Sequence, residues 1–256
     1  MPSDTTAALS ISHLTVRYQT EPVLWDISAS IPQGTLVAVV GPNGAGKTTF
    51  IKAILNLITP DAGTVSFFGG TYKEQSQRIA YVPQRLSVDW DFPANVLDVV
   101  LMGRYAHMGW FKRPSAADYD AAWLALEQVQ LTHYAYRHIS QLSGGQQQRV
   151  FLARALVQNA DIYLMDEPFA GVDMATEQTI VQLLRTLRTQ GKTIIVVHHD
   201  LQTLQDYFDW LLLLNIKLIA CGPINQVLHA DNLHATYGKH TLFTTCFERK
   251  SFEREP

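Results

Sequence analysis

The sequence predicts an α/β fold in which a mostly parallel sheet is covered by helices on both faces. Short apolar runs, typical of buried strands, occur at residues 35–40, 162–165 and 193–197. Helical spacing of apolar residues follows the first run, at Ile51, Ile54, Leu55 and Ile58. Strands that alternate with helices along a chain favour a parallel sheet with helices on both sides.

Composition agrees with a globular protein and excludes several other classes. The chain has 256 residues, of which 47% are apolar and 17% are charged, and its formal net charge is −3. These values exclude collagen-like, disordered and coiled-coil proteins, and they give no basic footprint for nucleic acid. The two cysteines, Cys221 and Cys246, fit no metal-binding spacing and indicate a reducing compartment.

We expect neither a signal peptide nor a membrane-spanning helix. The first residues lack a basic stretch followed by an apolar one. The longest apolar run, residues 210–220, is interrupted by Asn215 and Lys217 and is too short to cross a bilayer. The chain is therefore expected to be soluble or peripheral to a membrane.

The other elements follow from the same spacing rules. Alternating apolar residues predict half-buried strands near the N-terminus, at Leu9, Ile11, Leu14, Val16 and Tyr18. Further strands and a closing hairpin are expected at residues 64–68, 79–82, 210–214 and 217–220. An amphipathic helix is predicted over residues 175–190, with Gly191 as its C-cap.

Residues 84–140 differ in character and are predicted to form a helical subdomain inserted into the main domain. This segment is rich in aromatic side chains, namely Trp90, Phe92, Tyr105, Trp110, Phe111 and Trp123. The main domain is predicted to span residues 9–235, which leaves a tail of unknown structure at residues 236–256. Three states stay open for the tail: docking on the domain, pairing with a second copy, or disorder.

A glycine-rich run has the sequence of a phosphate-binding loop. Residues 41–48 read Gly-Pro-Asn-Gly-Ala-Gly-Lys-Thr and match G-x-x-x-x-G-K-[ST] between a predicted strand and a predicted helix. Glycines let backbone N–H groups turn toward an anion, and the helix N-terminus adds partial positive charge. We expect Lys47 to reach the β- and γ-phosphates and the Thr48 hydroxyl to bind Mg²⁺. The complete match disfavours a purely structural turn.

Two carboxylates end the apolar strand at residues 162–165. In a protein with a phosphate-binding loop, Asp166 is expected to hold Mg²⁺, directly or through water. Glu167 is then placed to orient and deprotonate a water molecule as a general base. The alternative is a strand end with two solvated acids, which the phosphate loop elsewhere in the sequence disfavours.

A second anion site is predicted where Ser143-Gly144-Gly145-Gln146 opens a helix. One chain needs only one phosphate loop for each nucleotide. A second anion-binding helix terminus therefore suggests a nucleotide that two protomers contact. An N-cap serine followed by a flexible glycine pair is the alternative.

Together these residues resemble the ATP-binding subunit of an ABC transporter, over residues 9 to about 230. The run from Ser143 to Gln146 resembles the signature sequence of that family, which separates it from other P-loop NTPases. The resemblance implies the ABC ATPase fold. This is a P-loop core with a mostly parallel sheet, an N-terminal antiparallel β subdomain and an inserted α-helical subdomain.

The resemblance also implies roles for single residues. Tyr18 occupies the position of an aromatic ring that stacks on adenine. Gln84 lies at the Q-loop, which links Mg²⁺ and the attacking water to the helical subdomain. Asp173 belongs to a D-loop that reads Ala-Gly-Val-Asp in place of the more usual Ser-Ala-Leu-Asp. His199 aligns with the switch histidine near the γ-phosphate, and His198 takes a position usually held by threonine or serine.

The implied nucleotide site is made of four groups. ATP is bound by Tyr18, Gly41, Asn43, Gly44, Ala45, Gly46, Lys47, Thr48 and Thr49. Mg²⁺ is held by Thr48, Gln84 and Asp166, and catalysis falls to Glu167, His199 and Gln84. The ATP of the other protomer is contacted by Ser143, Gly144, Gly145 and Gln146. The implied mechanism is a head-to-tail dimer that ATP closes and hydrolysis reopens.

The sequence of residues 84–113 is similar to the corresponding stretch in bacterial importers of manganese, zinc and iron chelates. It is nearest to the manganese members. This similarity implies permease subunits, an extracytoplasmic metal-binding protein reached through them, no nucleic acid, and a peripheral position on the cytoplasmic face of the inner membrane. The permease contact is expected at Tyr105, Met108, Trp110 and Phe111, which fit the core of the subdomain equally well. Because the ATPase subunit does not bind the metal, no residue here selects manganese over zinc.

Two other functions stay open beside a metal transporter. Soluble ABC ATPases of DNA repair or translation usually carry tandem domains or long coiled-coil insertions, and this chain has neither. A regulatory module that binds ATP without turnover is disfavoured by the presence of Lys47, Asp166, Glu167 and His199. Co-purification with a polytopic membrane protein would separate the first alternative from a transporter, and ATP turnover would separate the second.

Overall fold

The computed structural model describes residues 7–85, 93–108 and 113–238, which form two compact units. The first unit holds the described residues up to Glu74 and from Ile195 onward, and the second is Gln75–Ile194. In chain order the strands and helices are β1 (Ala7–Tyr18), β2 (Glu21–Pro32), β3 (Leu36–Val40), α1 (Lys47–Ile54), β4 (Ala62–Phe67), α2 (Tyr72–Gln75), β5 (Ile79–Val82), α3 (Val96–Leu101), α4 (Tyr105–Met108), α5 (Ala116–Gln128), α6 (Gly144–Leu156), β6 (Ile162–Asp166), α7 (Met174–Thr189), β7 (Thr193–Val197), α8 (Leu204–Tyr207), β8 (Trp210–Asn215), β9 (Lys217–Pro223), α9 (Ile224–Val227) and α10 (Ala230–Tyr237).

The N-terminal antiparallel sheet of the first unit has the strand order β2-β1-β4. Leu9 pairs with Ile31 on one side and with Phe67 on the other, and all three side chains are buried. The alternation read from the sequence therefore places one face of β1 in the core. The register shifts near His13, where φ is 54°, so the alternation is not continuous along the strand.

A second group of strands in the first unit carries the phosphate loop. β3 runs parallel to β8, and β8 pairs with β9 in the antiparallel hairpin that the sequence predicts. All five residues of β3 are buried, as expected for a run of apolar and β-branched residues covered on both faces. The chain enters the first unit again within β7, which begins in the second unit.

The second unit combines a parallel strand pair with the helical subdomain. β5 runs parallel to β6, with Ile79 opposite Ile162 and Val82 opposite Met165. Helices α3, α5 and α6 pack against one another. Each begins with a capping box, in which the N-cap side chain and the third helical residue bond reciprocally. The pairs are Asn95 with Asp98, Ser115 with Asp118, and Ser143 with Gln146.

These observations confirm the predicted fold class, and some element ends differ from the prediction. α1 ends at Ile54, earlier than its apolar spacing predicts, because Asn56 adopts a left-handed conformation with φ 55°. Helix α7 starts after the N-cap Asp173 and ends at Thr189. Its C-cap is Gln190 and not Gly191 as predicted, and Gly191 follows with φ 82°. The proposed domain and subdomain limits at residues 9–235 and 84–140 stay predictions. In the described ranges, no helix has both the length and the apolar character needed to cross a membrane.

Candidate nucleotide site

The phosphate loop lies between β3 and α1 in the first unit, as the sequence predicts. A Cβ on Gly41 would collide with the carbonyl oxygen of Leu214, so β8 leaves room only for glycine there. Gly46 has φ 92°, and a Cβ there would lie 2.6 Å from the carbonyl oxygen of Val23. These two close approaches explain why the loop requires glycine at both ends. Asn43 and Gly44, at the tip of the loop, are exposed.

Lys47 places its charge across the loop. Its Nζ donates hydrogen bonds to the carbonyl oxygens of Gly41 at 2.8 Å and Pro42 at 2.9 Å, and the residue is only 8% exposed. Ala45, Gly46 and Lys47 are buried, whereas the side chains of Thr48 and Thr49 are half-buried. The loop thus presents an ammonium group and two hydroxyl-bearing residues at the start of a helix, which is suited to a phosphate chain.

Tyr18 is the last residue of β1 in the same unit. It pairs with Glu21 across the turn to β2, and it is 52% exposed. An exposed ring of this kind is available for stacking on a base. Its role at adenine stays a prediction.

The two histidines after β7 lie in different environments. β7 ends at Val197, so both follow the strand, and His198 is 2% exposed whereas His199 is exposed. The Nε2 of His198 and the Thr203 hydroxyl lie 2.8 Å apart, and the His198 ring centroid is 5.2 Å from that of Phe208. Burial lowers the pKa of His198 to about 4, assisted by the charge of His199.

Acid is expected to destabilise the protein through His198. The unfolded chain binds this proton with the ordinary histidine pKa near 6.5, and the folded chain binds it only near 4. Between these values the unfolded state holds more protons, so stability falls as the pH is lowered from about 6.5 to about 4. The free energy of unfolding is expected to fall by about 3 kcal/mol over this pH range, and urea unfolding at several pH values measures it.

His198→Thr removes the titrating group and should flatten this pH dependence. His133→Asn is the matched control, because His133 is exposed and its replacement should leave the slope unchanged. An equal slope in the His198→Thr variant would assign the acid sensitivity to other groups.

The second unit brings Gln84 and Glu167 together. The Nε2 of Gln84 donates a hydrogen bond to Oε2 of Glu167 at 2.9 Å, which orients the carboxylate. Glu167 has φ 54°, a left-handed conformation that is uncommon for a residue with a side chain. Asp166, the last residue of β6, is fully buried. Burial raises the pKa of Tyr81 to about 12, assisted by the charge of Asp166.

The signature run Ser143–Gln146 opens α6. Ser143 is the N-cap: its Oγ accepts from the backbone N–H of Gln146 at 3.3 Å, and its own N–H donates to Gln146 Oε1 at 2.9 Å. The capping role that the sequence left as an alternative is therefore present. Ser143 is also exposed, and its contact to a second protomer's ATP stays a prediction.

Asp173 caps the next helix of the second unit. Its Oδ1 accepts a hydrogen bond from the backbone N–H of Thr176 at 2.9 Å, and the bond lowers the pKa of Asp173. Asp173 is exposed, so it combines a structural role with an accessible position. Its role in the D-loop stays a prediction.

The predicted permease contact is described in part. Tyr105 is 54% exposed at the start of α4, and Met108 at its end is half-buried. Trp110 and Phe111 lie outside the described residues. The exposure of Tyr105 favours a surface role for this position over the core of the subdomain.

Two contacting residues near these sites have no sequence signal of their own. Arg85 follows Gln84 and donates a hydrogen bond from Nε to Gln147 Oε1 at 3.0 Å. Thr203 holds the ring of His198. Arg85 is adjacent to Gln84, and Thr203 lies a few residues after His199. The sequence singles out Gln84 and His199, but nothing in the local sequence indicates which partner Arg85 or Thr203 contacts.

Comparisons with known proteins show the family of this chain. The ABC transporter family matches residues 24–170. A manganese transport system ATP-binding protein of Bacillus subtilis is 58% identical over 235 residues, covering 92% of this chain and 94% of that protein. A zinc transport system ATP-binding protein of Treponema pallidum is 51% identical over 251 residues, covering 98% of this chain and 94% of that protein.

Solved structures show the same relationship. An ABC transporter in an inward-facing conformation has a TM-score of 0.79 and 32% identity, covering 90% of this chain and 88% of that one. An ATP-binding cassette of an ABC transporter, in its ADP conformation, has a TM-score of 0.73 and 27% identity. The match covers 88% of this chain and 95% of that one. The chain therefore belongs to the ABC transporter family, as one of its ATP-binding subunits, and it is an ATPase.

Proposed function

We propose that ATP hydrolysis by this chain drives uptake of a divalent metal ion through membrane permease subunits. Manganese is the first candidate for this ion. The observation that carries the choice of metal is the 58% identity, over 92% of this chain, to a manganese transport system protein. Zinc is the second candidate, because a zinc transport system protein is 51% identical over 98% of the chain.

In this proposal the transported metal is recognised by the permease and an extracytoplasmic binding protein, and this chain supplies the ATP chemistry. Within the described ranges, no group of three or more His, Cys, Asp or Glu side chains is arranged to hold a metal ion. The chain would act at the cytoplasmic face of the membrane, where Tyr105, Met108, Trp110 and Phe111 would contact the permease.

The phosphate loop would bind the triphosphate of ATP. Lys47 already holds its ammonium over the loop carbonyls, so binding a phosphate exchanges neutral acceptors for charged ones. The loop would contact the phosphates through Gly41, Asn43, Gly44, Ala45, Gly46, Thr48 and Thr49. The exposed ring of Tyr18 would stack on adenine.

The proposal includes a magnesium ion held by oxygen ligands. The Thr48 hydroxyl, the Gln84 amide oxygen and the buried Asp166 carboxylate are hard oxygen ligands of the kind that Mg²⁺ prefers. When bound, Mg²⁺ supplies positive charge that offsets the negative charge of the phosphates. Asp166 would hold its position because the strand that carries it is buried throughout.

Glu167 would act as the general base. The hydrogen bond from Gln84 engages Oε2 and orients the carboxylate, which can then accept a proton from the attacking water through its other oxygen. His199 would lie near the γ-phosphate, consistent with its exposure after β7. A second copy would complete the site with its signature run, Ser143–Gln146. The D-loop residue Asp173 would face the interface between the two copies.

Whole-cell uptake of labelled manganese and zinc tests the proposal. Cells carrying the Glu167→Gln chain are expected to lose manganese uptake, whereas Glu127→Gln, which changes an exposed carboxylate on α5, should leave it unchanged. Loss of zinc uptake alone would make zinc the transported metal. Unchanged uptake of both metals would overturn the proposal of divalent metal import.

A further inference from the structure

Two consecutive residues after β5 reach two different parts of the ATPase machinery. Gln84 donates a hydrogen bond to Glu167 at 2.9 Å, and Arg85 donates one to Gln147 at 3.0 Å. Gln147 lies on the first turns of α6, directly after the signature run. All four residues belong to the second unit, so the connection is internal to it.

The acceptor of Arg85 is held in one orientation. Gln147 is buried, and its Nε2 donates to the carbonyl oxygen of Ile139 at 3.3 Å. The amide therefore directs Oε1 toward Arg85. A buried amide bonded at both ends fixes the distance between the segment after β5 and the start of α6.

Arg85 also lies against the signature run itself. A Cβ on Gly144 would lie 2.9 Å from Cζ and 3.1 Å from Nη1 of Arg85, so the guanidinium packs on the glycine backbone. A cation beside a helix N-terminus opposes the helix dipole, so this placement does not serve the stability of α6.

We propose that Arg85 is a positioning residue that couples the orientation of Glu167 to the placement of the signature run. The path runs from Glu167 through Gln84 and Arg85 to Gln147 and Gly144. The inference rests on the proposed function, in which the signature run contacts the ATP of a second copy. Loss of Arg85 should then weaken ATP-dependent dimerisation and leave ATP binding to one copy unchanged, because the phosphate loop lies in the first unit.

The test measures ATP-dependent dimerisation by sedimentation in the Glu167→Gln background, where hydrolysis does not consume the nucleotide. The glutamine oxygen at this position can still accept the hydrogen bond from Gln84, so the path to Arg85 is kept. Adding Arg85→Ala is expected to raise the dimer dissociation constant roughly ten-fold, the effect of one lost charge-assisted hydrogen bond. ATP affinity of the monomer and the thermal unfolding midpoint should stay as in the parent. Arg85→Met, which keeps an unbranched apolar side chain and removes the guanidinium that lies against Gly144, gives a second variant if the alanine variant is unstable.

Two comparisons make the result specific. Arg78→Ala is the matched control. Arg78 directly precedes β5 and forms an ion pair with Asp161, so its replacement should not affect dimerisation. Gln147→Ala should reproduce the Arg85→Ala effect, and the double variant should add little to either. Dimerisation equal to that of the parent would overturn the role of Arg85 while leaving the proposed function intact. A parent that fails to dimerise with ATP would instead overturn the head-to-tail dimer.

Discussion

Replacing Glu167 by glutamine is expected to abolish ATP turnover while preserving ATP binding. The glutamine side chain has nearly the same shape, and its amide oxygen can still accept the hydrogen bond that Gln84 donates at 2.9 Å. An amide cannot take a proton from water at neutral pH, so the general base is lost. General bases contribute roughly 10²- to 10⁴-fold to a rate, and we expect a loss of kcat in this range.

Steady-state phosphate release and sedimentation in ATP measure the two consequences. The variant should accumulate as an ATP-bound dimer, because the step that reopens the dimer is blocked. Glu127→Gln, an isosteric change at an exposed position on α5, is the control and should keep wild-type turnover. Turnover near the wild-type rate in the Glu167→Gln variant would remove Glu167 from the role of general base.

Replacing Lys47 by alanine is expected to lower ATP affinity roughly 10- to 100-fold. The ammonium lies within 3 Å of two loop carbonyls, where it would meet the phosphates of ATP. Hydrogen bonds to charged groups contribute about 1.5–3 kcal/mol, which corresponds to this loss of affinity. The residue is buried, so little solvent screening weakens the interaction.

Calorimetric titration with ATP in the Glu167→Gln background separates binding from hydrolysis. Lys52→Ala is the matched control, because Lys52 lies in the last turn of the same helix, away from the loop. A thermal unfolding midpoint close to that of the parent would show that α1 and the loop remain folded. Unchanged ATP affinity in the Lys47→Ala variant would refute the phosphate-loop assignment.

Several parts of the fold could be predicted because their patterns are local. The run at residues 193–197 matches β7 at both ends, and the two short runs at residues 210–214 and 217–220 form the antiparallel hairpin β8–β9. Strands buried on both faces consist mostly of apolar and β-branched residues, so the pattern survives without knowledge of their neighbours. Helix ends were less predictable, since α1 stops where Asn56 turns the chain.

The candidate groups of the site could also be proposed from the sequence, because each belongs to a short contiguous run. Lys47, Glu167 and Ser143 each lie beside a turn or a helix start whose geometry follows from neighbouring residues. A short run does not determine which distant residue each side chain contacts. Gly41 requires glycine because β8 passes over it, and Arg85 reaches Gln147 across a long stretch of intervening chain.

The amino-acid pattern was sufficient for the fold class and the family, and it supplied the candidate nucleotide-binding residues, since spacing and residue type record them directly. Tertiary structure decided the environment of each group. Burial on folding lowers the pKa of His198, and the link from Gln84 to Glu167 and from Arg85 to the signature run exists only where packed segments meet. The physical reason is that desolvation and hydrogen bonding depend on residues that are distant in sequence and close in space.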